Sequence, residues 1–235
     1  MTDNTHPTCN NPAQNDAAAQ AVAAAHDDVS GNPAAHTPGM PIVAVIGDGQ
    51  LARMMHPAAI ELGISLRLLA GAQDASAAQV TSDVFLGDYT NLDDLRRTVT
   101  GADVMTFDHE HVPTEHLTTL IAEGVNVQPQ PTALVNAQDK LVMRQHSAAL
   151  GAPVPQFVAI ESVADIEAFW RQVDGEVCLK ARRGGYDGHG VWFPKSEGEC
   201  VELVTRLLDA GMLLMAEQKV RLVRELSAMV ARTPS

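Results

Sequence analysis

A glycine-rich loop that directly follows a short apolar strand limits what this chain can fold into. The strand, Val177–Lys180, ends in a lysine, and four glycines fall within Gly184–Gly190. Glycine lets backbone N–H groups turn toward a ligand and approach it closely, and a lysine beside them adds a compact positive charge. The pattern predicts a phosphate-binding loop, although its spacing is not that of a P-loop NTPase. On glycine spacing alone, a β-hairpin with a flexible turn and an exposed lysine remains an equal alternative.

The segments around this loop predict a lobe of mixed α+β structure. Short runs rich in apolar and β-branched residues indicate strands, and apolar positions at helical spacing indicate helices. The predicted order is strand Pro155–Ile160, helix Val163–Val173, strand Val177–Lys180, strand Val191–Phe193, helix Ser196–Leu208, and strands Leu213–Val220 and Glu225–Ala231. A long helix, Thr132–Leu150, precedes this lobe and ends at Gly151.

An alternation of strands and helices opens the earlier part of the chain. Pro41–Ile46 is a predicted buried strand, the turn Gly47–Gly49 follows it, and a helix begins at Gln50 and ends at Gly63. The next strand, Ser65–Leu69, completes a βαβ unit of the doubly wound type. The single Gly-x-Gly has no third glycine, and no acidic residue ends the second strand. This argues against a NAD-dependent dehydrogenase.

The alternation continues as far as Gly124. The later elements are strand Val84–Leu86, helix Asn91–Thr100, strand Asp103–Phe107 and a helix that begins at Pro113. Asp108 and the run His109–His111 follow the last of these strands. Imidazole and carboxylate groups bind metals, but no further ligands complete a coordination sphere. Because open α/β sheets bind ligands at the carboxyl ends of their strands, substrate binding is the better prediction for Glu110.

Five separated blocks of sequence together resemble one family. The loop reads Gly-Gly-Tyr-Asp-Gly-His-Gly from Gly184, and the order of elements around it resembles the nucleotide site of ATP-grasp enzymes. The other blocks are Gly49–Met54, Thr106–Pro113, Gln138–Lys140 and Glu217–Glu225. In combination they resemble the 5-(carboxyamino)imidazole ribonucleotide synthases of purine (IMP) biosynthesis, over about residues 41–232.

This resemblance implies a carbon–nitrogen ligase that carboxylates aminoimidazole ribonucleotide with ATP, Mg²⁺ and bicarbonate. The residues that it implies for nucleotide binding are Lys140, Lys180, Gly185, Tyr186, Asp187, Gly188, His189, Gly190, Val191, Glu217, Gln218, Lys219, Val220 and Glu225. Lys180 would hold phosphates, the backbone of Glu217–Val220 would pair with adenine, and Glu225 would bind the ribose hydroxyls. Those implied as catalytic are Tyr186, Asp187 and His189, and those implied for the ribonucleotide are Gly49, Gln50 and Glu110.

Two residues depart from the family pattern. His189 stands where the family carries an arginine or a lysine, so a largely neutral imidazole replaces a fixed charge. Asp48 stands where a small or neutral residue is usual. A carboxylate beside a substrate phosphate is unfavourable unless its side chain points away.

The charge and cysteine content exclude several classes of partner. A net charge of −13 argues against nucleic acid or an anionic membrane surface. No apolar run approaches the ~18 residues that a membrane span requires. The three cysteines, Cys9, Cys178 and Cys200, form no C-x-x-C pair, which favours reduced thiols in the cytoplasm. An acidic chain must gather its cations locally to bind a nucleotide, and Arg182 and Arg183 beside the loop are candidates.

The expected architecture is therefore α/β followed by α+β. It consists of a disordered tail (1–40), a Rossmann-like pre-ATP-grasp domain (41–136), a linking helix (137–152) and an ATP-grasp lobe (153–235). The tail contains no lysine or arginine and little bulky apolar surface, which is typical of disorder.

The resemblance also implies what lies beyond these residues. The family's carboxylates for Mg²⁺ follow the position at which this chain ends, so the lobe is expected to be incomplete and the chain alone inactive. The complete enzyme is expected to be a homodimer. Two alternatives remain open: another ATP-grasp ribonucleotide ligase or transformylase, and an inactive nucleotide-binding fragment.

Overall fold

The computed structural model describes residues 31–185 and 189–232, which form two units divided between Ala133 and Leu134. The predictions made for residues 1–30 and for Tyr186, Asp187 and Gly188 lie outside the described residues. Each unit is organised around one sheet of its own.

A four-stranded parallel sheet forms the centre of the first unit. Its strands are β1 (Ile42–Ile46), β2 (Ser65–Ala70), β3 (Asp83–Leu86) and β4 (Val104–Phe107), in the order β3-β2-β1-β4. Ala44, Val45 and Ile46 are fully buried, as expected for a central parallel strand covered on both faces. The predicted doubly wound parallel sheet is confirmed, and the carboxyl end of β1 lies between those of β2 and β4.

Three helices accompany this sheet. They are α1 (Gln50–Glu61), α2 (Leu92–Val99) and α3 (Thr114–Ala122). α1 continues through Pro57. α2 begins where predicted because the Asn91 side chain accepts a hydrogen bond from the N–H of Asp93, and two acidic residues lie in its first turn. The helices thus begin and end close to their sequence signals.

Residues 31–40, expected in the disordered tail, are attached to the first unit. The N–H of Asn32 donates to Oδ1 of Asp83 at 2.6 Å, and Nε2 of His36 lies 2.7 Å from Oδ2 of the same carboxylate. Asp83 is 1% exposed and also accepts a hydrogen bond from Nε of Arg67 at 2.7 Å. A buried carboxylate must be paired in this way, and these partners are distant in sequence. Composition alone could not reveal them.

The variant Asp83→Asn is expected to lower the free energy of unfolding by about 2 kcal/mol, because hydrogen bonds to charged groups contribute about 1.5–3 kcal/mol. Denaturant unfolding measures this change. The control Asp74→Asn alters an exposed carboxylate of the same unit and should stay within about 0.5 kcal/mol of the parent. Equal effects of the two variants would contradict the anchoring role of Asp83.

The second unit is built on an antiparallel sheet. Its strands are β5 (Phe157–Ile160), β6 (Val177–Ala181), β7 (Val191–Trp192) and β8 (Leu214–Gln218), in the order β5-β8-β6-β7. The helices are α4 (Pro131–Gln138), which spans the division between the units, α5 (Lys140–Ala149), α6 (Val163–Gln172) and α7 (Glu197–Asp209). Phe169 of α6 and Val204 of α7 pack in one buried cluster with Leu179 and Leu214 of the sheet.

Two predictions for this unit are wrong. The single helix Thr132–Leu150 is divided into α4 and α5, because the side chain of Asp139 caps a new helix at that point. The strand Glu225–Ala231 is absent: residues 219–232 form no strand and are exposed. A strand requires a partner for its backbone groups, and within 31–185 and 189–232 none lies beside this segment.

No helix among the described residues is long and apolar enough to cross a membrane.

Candidate functional site

Glu217 lies at the centre of a group of charged side chains in the second unit. β6 and β8 are neighbours, and Cys178 is paired with Glu217, so Lys180 lies diagonally across from that glutamate. The ammonium group of Lys180 donates to Oε1 of Glu217, and Nε of Arg144 in α5 donates to Oε2 at 2.8 Å. One carboxylate therefore fixes two cations.

The ion pairs keep Glu217 ionised although it is only 6% exposed. Burial works to raise the pKa of its carboxyl, but the hydrogen bonds from Arg144 and Lys180 outweigh burial, and the pKa lies below its usual value. The two positive charges of Lys180 and Arg144 exceed the single negative charge of Glu217. The group as a whole is suited to attract a further anion.

The glycine loop (residues 184–190) joins β6 to β7, and these strands are antiparallel neighbours. The hairpin alternative was therefore right about topology. It was wrong about the lysine: the side chain of Lys180 is 19% exposed and paired, not a free surface group. The lysine is held at the base of the loop.

Gly185 and Gly190, near the two ends of the glycine loop, approach each other closely, and together they are called the loop neck. A Cβ at Gly185 would lie 2.7 Å from the carbonyl oxygen of His189. Gly190 has a φ of +72°, and a Cβ there would lie 3.1 Å from Cβ of Ala181. The ammonium group of Lys140 donates to the carbonyl of Gly185 at 3.2 Å. Glycine is required at the neck because side chains there would collide or be strained.

Arg182 and Arg183 follow β6 and bind a second buried carboxylate, that of Asp139. Arg182 donates twice, from Nε at 3.1 Å and from its terminal nitrogen at 2.7 Å, and Nε of Arg183 lies 3.4 Å away. Burial works to raise the pKa of Asp139, but the Arg182 hydrogen bonds and the backbone N–H groups of α5 hold it below its usual value. Arg182 is thus paired with Asp139 through two nitrogens, and a role of either arginine toward a phosphate stays a prediction.

The remaining nucleotide residues implied by the resemblance lie along or beyond the same strands. Val191 begins β7 opposite Lys180, and His189 precedes it as an exposed residue. The N–H of Gln218 donates to the carbonyl of Gln156 at 2.8 Å, and that of Lys219 donates to Glu176 at 2.7 Å. Val220 is exposed, and no partner for its N–H is found among the described residues. Glu225 is exposed in the segment without strand.

A second candidate site lies at the carboxyl edge of the first unit's sheet. The N–H of Gly49, after β1, donates to Oδ2 of Asp108, after β4, at 3.0 Å. The expected placement of the Gly47–Gly49 turn and Glu110 at one common edge is confirmed, because β1 and β4 are adjacent and parallel. Gln50 begins α1 at this edge and accepts a hydrogen bond from the hydroxyl of Ser76 at 3.2 Å.

A cavity of about 450 Å³ opens at the same edge, lined by residues that follow all four strands. Among them are Asp48, Gly71, Tyr89, Thr90 and His109. The Asp48 carboxylate accepts a hydrogen bond from the N–H of Gly71 at 2.8 Å, so part of its charge is satisfied by the protein. Burial lowers the pKa of His109, which favours the neutral imidazole. The cavity is therefore lined by two carboxylates, those of Asp48 and Asp88, together with a neutral imidazole and backbone groups.

The two buried carboxylates of the second unit predict a pH dependence of stability. Both pKa values are depressed in the folded state, so the stabilisation is present above the unfolded values, about 4, and is lost as pH falls through the folded values. The double variant Asp139→Asn, Glu217→Gln should show a shallower fall of unfolding free energy below about pH 4. Parallel curves for parent and double variant would contradict these assignments.

Comparison with known proteins shows which family combines these features. The sequence model of the ribonucleotide synthetase preATP-grasp domain matches residues 40–138, and that of the ATP-grasp domain matches residues 145–235. The chain is 69% identical over 205 residues to the N5-carboxyaminoimidazole ribonucleotide synthase of Corynebacterium ammoniagenes, covering 87% of this chain and 50% of that protein. The chain belongs to the N5-carboxyaminoimidazole ribonucleotide synthase family.

Solved structures of this synthase family share the fold. The enzyme from Thermus thermophilus is 30% identical with a TM-score of 0.69, over 77% of this chain and 48% of that one. An Aspergillus clavatus synthase, in complex with ADP and 5-aminoimidazole ribonucleotide, is 25% identical with a TM-score of 0.67, over 76% and 46%. The chain spans about half the length of the curated relatives that it matches.

Several side chains in the two candidate sites have contacts that the sequence did not indicate. Asp139 and Asp108 bind protein groups that only the fold brings near, and the Glu217 side chain was overlooked in favour of its backbone. One signal was available: an aspartate directly before an apolar helical pattern is a common N-cap, which predicts a helix start at Lys140. Tyr89 and Thr90 carried no such signal.

Proposed function

We propose that this chain supplies the ribonucleotide domain and the nucleotide-binding lobe of an enzyme that carboxylates aminoimidazole ribonucleotide with ATP and bicarbonate. The observation that carries the proposal is the cationic group Lys180, Arg144 and Lys140 beside the loop neck. Positively charged side chains and the backbone N–H groups of a glycine-rich loop are the groups that bind a polyphosphate ligand. The ligands of the Aspergillus clavatus relative support the same reaction.

In this proposal the second unit binds ATP. Lys180 and Lys140 contribute positive charge to the phosphates, and because Glu217 already orients Lys180, little ordering entropy is lost on binding. Val220, two residues after the end of β8, donates its N–H to the adenine. Preorganised cations stabilise the charge that develops as a phosphoryl group is transferred, which is the main source of catalysis in such reactions.

The first unit binds the ribonucleotide at the cavity beside Gly49, Gln50 and Glu110. Parallel α/β sheets bind ligands at this edge, where the carboxyl ends of β1 and β4 meet. The N–H of Gly71 donates to the carboxylate of Asp48, and the N–H of Gly49 donates to that of Asp108. These two N–H groups are therefore not available to bind a phosphate. We therefore expect the base and ribose, rather than the phosphate, to lie over the turn.

Mg²⁺ would neutralise phosphate charge in the complete enzyme. Among residues 31–185 and 189–232, no group of three or more His, Cys, Asp or Glu side chains is arranged to hold a metal ion. Asp139 and Glu217 are both engaged by cationic side chains. Neither carboxylate is therefore a free ligand for Mg²⁺.

A chimera with the Corynebacterium ammoniagenes relative tests the proposal. The aligned 205 residues of that enzyme are replaced by those of this chain, and ADP release is measured with aminoimidazole ribonucleotide and bicarbonate. A rate within about tenfold of the parent, or about 1.4 kcal/mol in the barrier, is expected. ADP release should vanish without the ribonucleotide, and formate should not substitute for bicarbonate. Release that requires formate instead of bicarbonate would replace the proposed reaction by formyl transfer.

The homodimer and the cytoplasmic location remain predictions. The buried cysteines Cys178 and Cys200 are free thiols, which supports a reducing compartment. Sedimentation of the chimera would decide the oligomeric state.

A further inference from the structure

Asp139 connects two segments that flank the candidate nucleotide site. Its carboxylate accepts hydrogen bonds from the N–H groups of Leu141 and Val142, at 3.0 and 3.3 Å, and so caps α5. The oxygen that caps the helix, Oδ1, also accepts a hydrogen bond from Nε of Arg182, the residue that directly follows β6, and Oδ2 accepts one from a terminal nitrogen of the same guanidinium. A planar guanidinium bound through two nitrogens fixes orientation as well as distance. One side chain thus holds a helix start to a strand end.

Backbone hydrogen bonds join the same two segments. The N–H of Lys140 donates to the carbonyl of Arg182 at 3.0 Å, and the N–H of Arg182 donates to the carbonyl of Leu213 at 2.9 Å. The N–H of Ala181 donates to the carbonyl of Gly190 at 2.8 Å, at the loop neck. The start of α5, the end of β6 and both ends of the glycine loop therefore form one connected network.

Lys140 is the member of this network that reaches the loop. Its backbone is fixed by Arg182, and its ammonium group donates to the carbonyl of Gly185. Asp139 itself is 1% exposed and has hydrogen bonds to both oxygens, so it has no capacity to bind a ligand directly. Its influence on the site must pass through the groups that it holds, which are Arg182, Arg183 and the start of α5 at Lys140.

We propose that Asp139 is a positioning residue that holds Lys140 against the loop neck and so fixes the geometry of Gly185 and Gly190 for ligand binding. The ligand is ATP if the proposed function is correct; the positioning itself does not depend on that. In a variant without the carboxylate, the amides of Leu141 and Val142 would lose their hydrogen-bond acceptor directly. The amides of Lys140 and Ala181 would keep their acceptors, and their hydrogen bonds would be weakened only through the network.

The first experiment needs no ligand. Amide hydrogen exchange is measured in the 235-residue chain and in Asp139→Ala, with Asp165→Ala as the control, because Asp165 completes the cap of α6 in the same unit. Exchange of the Lys140 and Ala181 amides is expected to rise about tenfold or more in Asp139→Ala, the ratio that corresponds to 1.4 kcal/mol of local stability. It should be unchanged in the control. Unchanged exchange at Ala181 would overturn the proposal. If Asp139→Ala does not fold, Asp139→Asn, which retains a capping oxygen, replaces it.

The second experiment separates positioning from a general loss of stability. ATP affinity is measured for Asp139→Asn and for the same change in a Lys140→Met background. If Asp139 acts through Lys140, the loss should be about tenfold alone and less than about threefold in the second background, because coupled residues are not additive. Equal losses in both backgrounds would assign Asp139 a merely structural role and overturn the proposal. A parent chain that binds no ATP would sink the proposed function, while the exchange experiment would still decide the positioning role.

Discussion

Replacing Glu217 with alanine is expected to lower the free energy of unfolding by about 3 kcal/mol, the lower end of the cost of breaking a buried ion pair. The change leaves Lys180 and Arg144 facing each other without their common carboxylate, and both side chains are only about one-fifth exposed. Removing one partner leaves the others as uncompensated charges. Denaturant unfolding, followed by a signal from the second unit such as Trp192, measures the loss.

Glu202→Ala is the matched control. Glu202 is an exposed glutamate of α7 in the same unit, and its removal should change the free energy of unfolding by less than about 0.5 kcal/mol. Glu217→Gln keeps the shape of the side chain and should fall between the two. A Glu217→Ala variant as stable as the Glu202→Ala variant would mean that the ion pairs do not hold this site together.

Replacing Lys180 with methionine is expected to weaken ATP binding by about 1.5–3 kcal/mol, the range typical of charged hydrogen bonds, or roughly ten- to a hundredfold in Kd. Methionine retains most of the apolar stem and removes the ammonium group. Glu217 keeps its ion pair with Arg144 in this variant, so the unit should remain folded. Calorimetric titration with ATP measures the change.

Lys195→Met removes an exposed lysine of the same unit and should leave ATP affinity within about twofold of the parent, as expected for a weakly contributing surface charge. Equal affinities of the Lys180→Met variant and the parent, with normal unfolding of both, would dismiss Lys180 as a phosphate ligand. The cation group would then have a structural role only.

Structural features that depend on neighbouring residues could be predicted from the sequence. The apolar strand before the glycine loop, the Gly-x-Gly turn after β1 and the order of elements in both units follow from patterns within a few residues of one another. The common edge of Gly49 and Glu110 also followed, because parallel strands place their carboxyl ends together.

A residue's role could not be predicted from sequence where it depends on a partner that is distant along the chain. Asp83 attaches residues 31–36 because Arg67 and His36 meet it in the fold, and the composition of the tail contains no sign of this. Arg182 is paired with Asp139, a residue 43 positions away, and nothing in the sequence near Arg182 indicates this contact. The segment Glu225–Ala231 has the composition of a strand, but a strand forms only beside another strand.

The most direct test of the nucleotide site is a titration of the 235-residue chain with ATP, followed residue by residue through backbone amide NMR signals. Saturable changes are expected at Lys180, Gly185, Gly190 and Val220, with the signals around Gly47 in the first unit unaffected. An absence of saturable changes, or changes confined to the first unit, would contradict the assignment of the glycine loop and its cations as the nucleotide site.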